Sequence, residues 1–325
     1  MEKVHHRTIK ANGINIHIAE QGTGPLVILC HGFPELWYSW RHQLSALAEA
    51  GYHAVAPDQR GYGRTDRPVD IDAYTIFHLT GDMVGLIHAL GEEQAVIAGH
   101  DWGSRIAWHC ALLRPDMFRG VVLSSVPYVP RCGDESDTRP TDKMRLMAGD
   151  KQFYQLYFQE PGKAEAELDA DVRKTLLTLF YSGSANASPE QSLRFFFEKS
   201  EKFLDTASPP DILPDWITEQ DISFFVKEFT RTGFSGGLNW YRNLDTLWEQ
   251  TYFLMKAKIF QPVLYVAGEK DAVITNPMYK KALENLNTSC PNLTKKVFIP
   301  DAGHWVQQEQ PEYINKLYIE FLENL

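Results

Sequence analysis

The stretch that decides the fold is AVIAGHDWGSRIAW, Ala95–Trp108. Gln94–Ala98 is a short apolar run that reads as a buried strand, and Ser104–Leu113 carries apolar residues at helical spacing before Pro115 ends it. Between them lies Gly99-His100-Asp101-Trp102-Gly103. Strand, tight turn and helix in that order form the layout of a nucleophile elbow, where the residue between the glycines is held on a sharp turn at the top of the sheet. A glycine pair four apart means little alone. Among 22 glycines there are three such pairs, Gly81/Gly85, Gly99/Gly103 and Gly233/Gly237. The last, GFSGG, fits the literal G-x-S-x-G pattern with Ser235 in the serine position. The residues before it, Asp221–Thr232, have helical spacing with Asp221 placed to cap them, so GFSGG reads as a turn between helices. Asp82, in GDMVG, falls inside a helix pattern and reads as a surface residue. Context therefore selects Asp101.

Outward from the elbow the same alternation repeats. Apolar runs at Pro25–Cys30, His53–Pro57, Gly120–Ser124, Pro262–Ala267 and Lys296–Ile299 predict buried parallel strands. Helical patterns cover Trp40–Ala50, Ile76–Leu90, Met278–Leu286 and Tyr313–Leu322, the second closed by Gly91. Alternating strands and helices imply βαβ units and a sheet covered on both faces. Ile14–Ala19 reads as an antiparallel edge strand. The stretch from Tyr128 to Lys256 differs: it is rich in Phe, Tyr and charge, and SPPDILPDW (208–216) punctuates it. It reads as a mostly helical insertion over the carboxyl ends of the strands, where ligands bind in open α/β sheets. The expected division is a core of residues 1–128 and 257–325 and a cap of 129–256.

The 325 residues are 44% hydrophobic and 23% charged, values of a folded globular chain, which excludes disordered, collagenous and coiled-coil readings. Thirty-two basic against 42 acidic residues give a net charge of −10, which argues against nucleic acid or anionic lipid and for a small-molecule partner. No apolar stretch approaches the roughly 18–20 residues that span a bilayer, and MEKVHHRTIK lacks the apolar region of a secretory signal. Cys30, Cys110, Cys132 and Cys290 lie far apart without metal-ligand spacing, so they read as reduced structural thiols, and no metal or cofactor is expected. These features predict a cytoplasmic protein.

If Asp101 is the nucleophile, its partners follow in the order nucleophile, acid, histidine. Ten of the 11 histidines lie at or before His109. Only His304, in IPDAGHW just past a predicted strand, can be the base. Asp271, after the Pro262–Ala267 strand, is the best-placed acid, with Glu269 as its competitor. A carboxylate attacks saturated carbon and leaves an ester, whose carbonyl water can then attack; a serine there would leave an inert ether. His304, oriented by Asp271, would activate that water, and backbone N–H groups of Trp102 and of Phe33 in the His31–Pro34 turn would hold the oxyanion.

HGFPELWYSWR (31–41), PDQRGYGRTDRP (57–68), GHDWGSRIAW (99–108), GFSGGLNWYRN (233–243), GEKDAV (268–273) and GHWVQQEQP (303–311) together resemble an α/β-hydrolase-fold soluble epoxide hydrolase of plant and bacterial type, and the hydrolase domain of the mammalian enzyme. The resemblance spans nearly the whole chain and is weakest over 129–220. It implies an α/β core with a mostly parallel, eight-stranded sheet, a helical cap, and conversion of an epoxide and water to a vicinal diol. It also implies two cap tyrosines that hydrogen-bond and protonate the epoxide oxygen: Tyr241 from NWYRN, and Tyr154 from FYQLYFQEPG (153–162), with Tyr157 as the alternative. His100 and Glu35 resemble positions along the family's water path, and the family implies a cis peptide before Pro34. The length leaves no room for a second catalytic domain like the mammalian enzyme's. A monomer or a homodimer would serve equally.

Two other readings stay open on the residues alone. A haloalkane or haloacid dehalogenase uses the same aspartate ester, and Arg105 resembles the second arginine of fluoroacetate dehalogenases. Trp102 stands where those enzymes have their first, and Phe33 offers a halide no donor. A small-molecule receptor on the same fold needs none of the catalytic arrangement.

Overall fold

The computed structural model describes residues 3–131 and 138–325; Cys132 lies outside them. The chain opens with an antiparallel pair, β1 (His5–Ala11) and β2 (Ile14–Gln21), joined at Asn12-Gly13, both in the left-handed region that such a two-residue turn demands. Then come β3 (Leu26–Cys30), α1 (Arg41–Glu49), β4 (His53–Pro57), α2 (Ile76–Ala89), β5 (Ala95–His100), α3 (Trp102–Leu113) and β6 (Phe118–Ser124). A long segment follows, with helices α4 (Pro140–Ala148), α5 (Tyr154–Tyr157), α6 (Lys163–Leu168), α7 (Val172–Gly183), α8 (Glu219–Thr232), α9 (Ser235–Arg242) and α10 (Leu244–Gln250). Within it β7 (Gln152–Phe153) and β8 (Phe196–Phe197) pair as a small ladder. The chain closes with β9 (Val263–Gly268), α11 (Ala272–Thr275), α12 (Pro277–Glu284), α13 (Leu286–Ser289), β10 (Leu293–Ile299), α14 (Val306–Glu309) and α15 (Pro311–Glu323).

Eight strands make one sheet in the order β1-β2-β4-β3-β5-β6-β9-β10, parallel from β4 to β10. This is the α/β-hydrolase architecture expected. Every residue of β3, β5 and β9 is buried, because helices cover both faces. Side chains alternate between those faces. Ile28, Cys30, Ile97 and Val121 join the cluster that includes Met83 and Leu86 of α2 and Ile106 of α3. Val27, Leu29, Val96 and Val122 join Leu44 and Leu47 of α1 and Leu317 and Phe321 of α15.

Three local readings change. The edge strand is β1, and Ile14–Gln21 is the second strand, hydrogen-bonded on both sides. β1 escapes the hydrophobic pattern because its first four residues are exposed. Asp221 does not cap α8; Thr218 does, and Asp221 reciprocates from the third position, its carboxylate accepting from Thr218 N at 2.8 Å. Asp82 is no surface residue: it is buried against Arg60 at 2.6 Å. Cys30, Cys110 and Cys290 are free and buried, and no helix among the described residues is long and apolar enough to cross a membrane.

Parallel strands deliver their following loops to one rim. There the residues after β3, β5, β6, β9 and β10 converge: the Phe33 turn, Asp101, Ser125, Asp271 and His304.

Candidate active site

Asp101 joins β5 to α3 with φ 53° and ψ −118°, a left-handed backbone that L side chains rarely hold. The flanking glycines make the turn possible: a Cβ on Gly99 would fall on the Gly103 carbonyl, and one on Gly103 on the Cys30 carbonyl. A Cβ on Gly32 would strike the Asp101 carboxylate itself. That close approach brings the Phe33 N–H to Asp101 Oδ1 at 3.0 Å. The Phe33–Pro34 peptide is cis. Trp102 begins α3, so its N–H is one of the helix's unpaired first-turn donors.

His304 places Nε2 3.9 Å from Asp101 Oδ2, beyond direct hydrogen bonding, and Nδ1 3.2 Å from Asp271 Oδ1. Asp271, buried at the start of α11, also accepts from Val273 N at 2.9 Å. Burial alone would raise its pKa, but His304 and these hydrogen bonds bring it below the usual carboxylate value. For His304 the balance runs the other way: burial pulls the imidazole down, while Asp271 and Asp101 outweigh it and push it up to about 9. Glu269 shows no such contact with His304; its backbone N–H bonds Ile299 O.

Glu35 and His100 are fully buried and pair at 2.6 Å between Oε2 and Nδ1. Glu35 also accepts from Gly32 N and Gln307 Nε2, and His100 Nε2 lies 2.6 Å from the His304 carbonyl oxygen. The two therefore tie the Phe33 turn to the His304 loop, and neither lines the cavities that hold Asp101.

Those cavities also hold the two expected tyrosines. Asp101, His304, Tyr154 and Tyr241 share one of about 180 Å³. The tyrosine rings are 6.2 Å apart between centroids, and Tyr241 packs edge-on to Phe33 and Trp102. Burial, reinforced by the Asp101 charge, raises both phenols above the ordinary tyrosine pKa. Tyr157 is elsewhere, donating to Glu167 at 2.8 Å. Ser235 is exposed at the start of α9.

The alpha/beta hydrolase fold family matches residues 25–311. Epoxide hydrolase A of Mycobacterium tuberculosis is 43% identical over 98% of this chain and 97% of its own. Epoxide hydrolase 1 of Siraitia grosvenorii is 40% identical over 99% of both. The solved epoxide hydrolase from an endophytic Streptomyces superposes with a TM-score of 0.94 at 45% identity, covering 99% of this chain and 96% of that one. The chain belongs to the epoxide hydrolases of the alpha/beta hydrolase fold.

In this epoxide hydrolase the structure adds residues to which the sequence assigned no role. Ser125, just past β6, is held at φ 69° with Oγ 3.0 Å from His304 Nδ1. Gln155 donates to the Tyr154 hydroxyl at 2.8 Å. Glu309 accepts from Gly303 N, Trp305 N and Ala185 N, pinning the His304 loop to the segment after α7. Position alone could have flagged Ser125, because it sits where a strand of the parallel sheet ends.

Proposed function

We propose that this epoxide hydrolase converts an epoxide and water to a vicinal diol through an ester on Asp101. The observation that carries the reading is the Asp101 carboxylate, with the Phe33 N–H on one oxygen, His304 beside the other, and two buried phenols on the same cavity.

Oδ1, held by Phe33, remains the carbonyl oxygen, and Oδ2 attacks a ring carbon. The C–O bond opens as its electrons pass to the epoxide oxygen, which takes a proton from Tyr154 or Tyr241. The raised phenol pKa values keep both protonated until that strongly basic oxygen develops. In the second half His304 Nε2 takes a proton from water, whose oxygen attacks the ester carbon. The tetrahedral oxyanion is held by the N–H groups of Phe33 and Trp102, each worth about 3 kcal/mol in comparable sites. Collapse breaks the acyl carbon–oxygen bond, releasing the diol and the carboxylate, and the proton on His304 returns to the tyrosine. Asp271 orients and charges His304, while Glu35 and His100 fix its loop from behind. Residues 129–256 act as the cap that closes the site and supply both phenols.

The test is a single turnover in ¹⁸O water with enzyme in excess. The first diol should carry almost no label, since its new oxygen comes from Asp101, and prompt labelling would overturn the ester mechanism. With His304→Gln the ester should accumulate and raise the intact protein mass by that of the substrate.

A further inference from the structure

Arg105 lies one turn after Asp101 on α3 and lines two neighbouring cavities. One is the small space that also holds Asp101, Tyr154 and Tyr241; the other, of about 220 Å³, continues away from the nucleophile past Gln155 and Tyr279. Three other arginines with largely buried side chains are paired: Arg60 with Asp82, Arg41 with Asp221 and Arg242 with Glu165. Arg105 pairs with no carboxylate among the described residues. Its guanidinium lies over Trp102 and Trp108, 4.9 and 5.4 Å from their ring centroids, and its charge opposes the rise that burial gives the Tyr279 phenol pKa. Stacking fixes the plane of the fork and leaves its remaining N–H groups for a ligand. Apolar side chains such as Leu112, Leu244 and Leu247 line much of the larger cavity, with His109 and Thr251 among its polar ones. Its second cation is Arg131, whose Nη1 is buried without a hydrogen-bond partner.

We propose that this second cavity receives the anionic end of the substrate, with Arg105 binding a carboxylate while the epoxide ring lies against Asp101. The inference rests on the epoxide-hydrolysing reading above and names its substrate class: epoxides carrying a carboxylate a short aliphatic chain from the ring. A planar guanidinium fork matches a planar carboxylate with two parallel hydrogen bonds. Four residues of helix put about 6 Å between Asp101 and Arg105 along the axis, which keeps the substrate anion off the nucleophile. The chain's net charge of −10 gives such a substrate no long-range attraction, so its recognition has to be local.

The test compares an epoxyhexanoic acid, its ring at the far terminus, with the matched primary amide. Wild-type kcat/KM should favour the acid by about tenfold or more. Arg105→Met should remove that preference, with Arg105→Lys intermediate, whatever either variant does to the amide. A general structural role of Arg105 would move both substrates together; an unchanged acid-to-amide ratio in Arg105→Met overturns the proposal. Calorimetry with hexanoate and hexanamide reads the site without turnover: hexanoate should bind the wild type more tightly, and Arg105→Met should lose the difference. If neither substrate nor simple epoxyhexane is turned over, the hydrolase reading fails, and hexanoate binding still decides the Arg105 site.

Discussion

Ser125 Oγ lies 3.0 Å from His304 Nδ1, nearer than Asp271 Oδ1 at 3.2 Å. The base therefore has two oxygens on its inner nitrogen, and the Ser125 hydroxyl also helps to hold the Asp271 pKa below the usual carboxylate value. Ser125→Ala should slow hydrolysis of the Asp101 ester about fivefold, the kinetic equivalent of one net hydrogen bond of about 1 kcal/mol. Formation of the ester should be unchanged. Rapid-quench measurement of both steps checks this; equal slowing of both would place Ser125 in maintaining the site as a whole.

The pH dependence follows from charge. Burial lowers the His304 pKa, but Asp271 and Asp101 together lift it to about 9, above the ordinary 6.5. Its favourable interactions are thus complete below pH 6.5 and are lost as pH climbs through about 9. Ester formation turns the Asp101 anion into a neutral group, so the imidazole loses one of the charges that hold its proton. We expect the ester-hydrolysis rate to rise with pH toward an apparent pKa below that of the free enzyme. NMR titration of His304 should give a lower value in Asp101→Asn than in wild type. Identical titrations would remove Asp101 from the balance.

Most of this arrangement was legible because it lies near the strands in sequence. Asp101, Asp271 and His304 each follow a run of apolar residues, and parallel strands bring such ends together regardless of sequence distance. What could not be read depends on contacts across the fold. His100 next to the nucleophile looks like a site residue, yet its ring is spent on Glu35 and the His304 carbonyl. β1 has too little buried surface to show a period, and its place at the edge is set by its pairing with β2. Tyr154 and Tyr157 share one short helix, and the contact that sets them apart, Glu167 taking the second hydroxyl, comes from the separate helix α6 and is one that no local pattern shows.

The two phenols on the Asp101 cavity should act in the first half of the reaction only. Tyr241→Phe or Tyr154→Phe alone should slow ester formation by about 10- to 100-fold. The double variant should approach the full contribution of an acid catalyst, roughly 100- to 10,000-fold. Tyr157→Phe should stay within about twofold of wild type, since its hydroxyl is bonded to Glu167. Pre-steady-state ester formation is the readout. A double variant as fast as either single one would mean that only one phenol reaches the epoxide oxygen.

Asp82 supports the site from below. Its carboxylate accepts from Arg60 Nε at 2.8 Å and Nη2 at 2.6 Å inside the protein, and from the exposed turn residue Asn12 at 2.8 Å. Arg60 in turn presents its backbone carbonyl to the Trp240 indole, next to Tyr241, at 3.1 Å. Asp82→Ala leaves the guanidinium buried with no counter-charge, which should cost about 3–5 kcal/mol in urea unfolding. Replacing the pair together, Arg60→Met with Asp82→Leu, removes both charges and should recover most of that loss. Because the Trp240 contact uses the Arg60 backbone, the double variant should keep ester formation while the single one loses it with stability. Equal stability of the two variants would show that the pair is not acting as a unit.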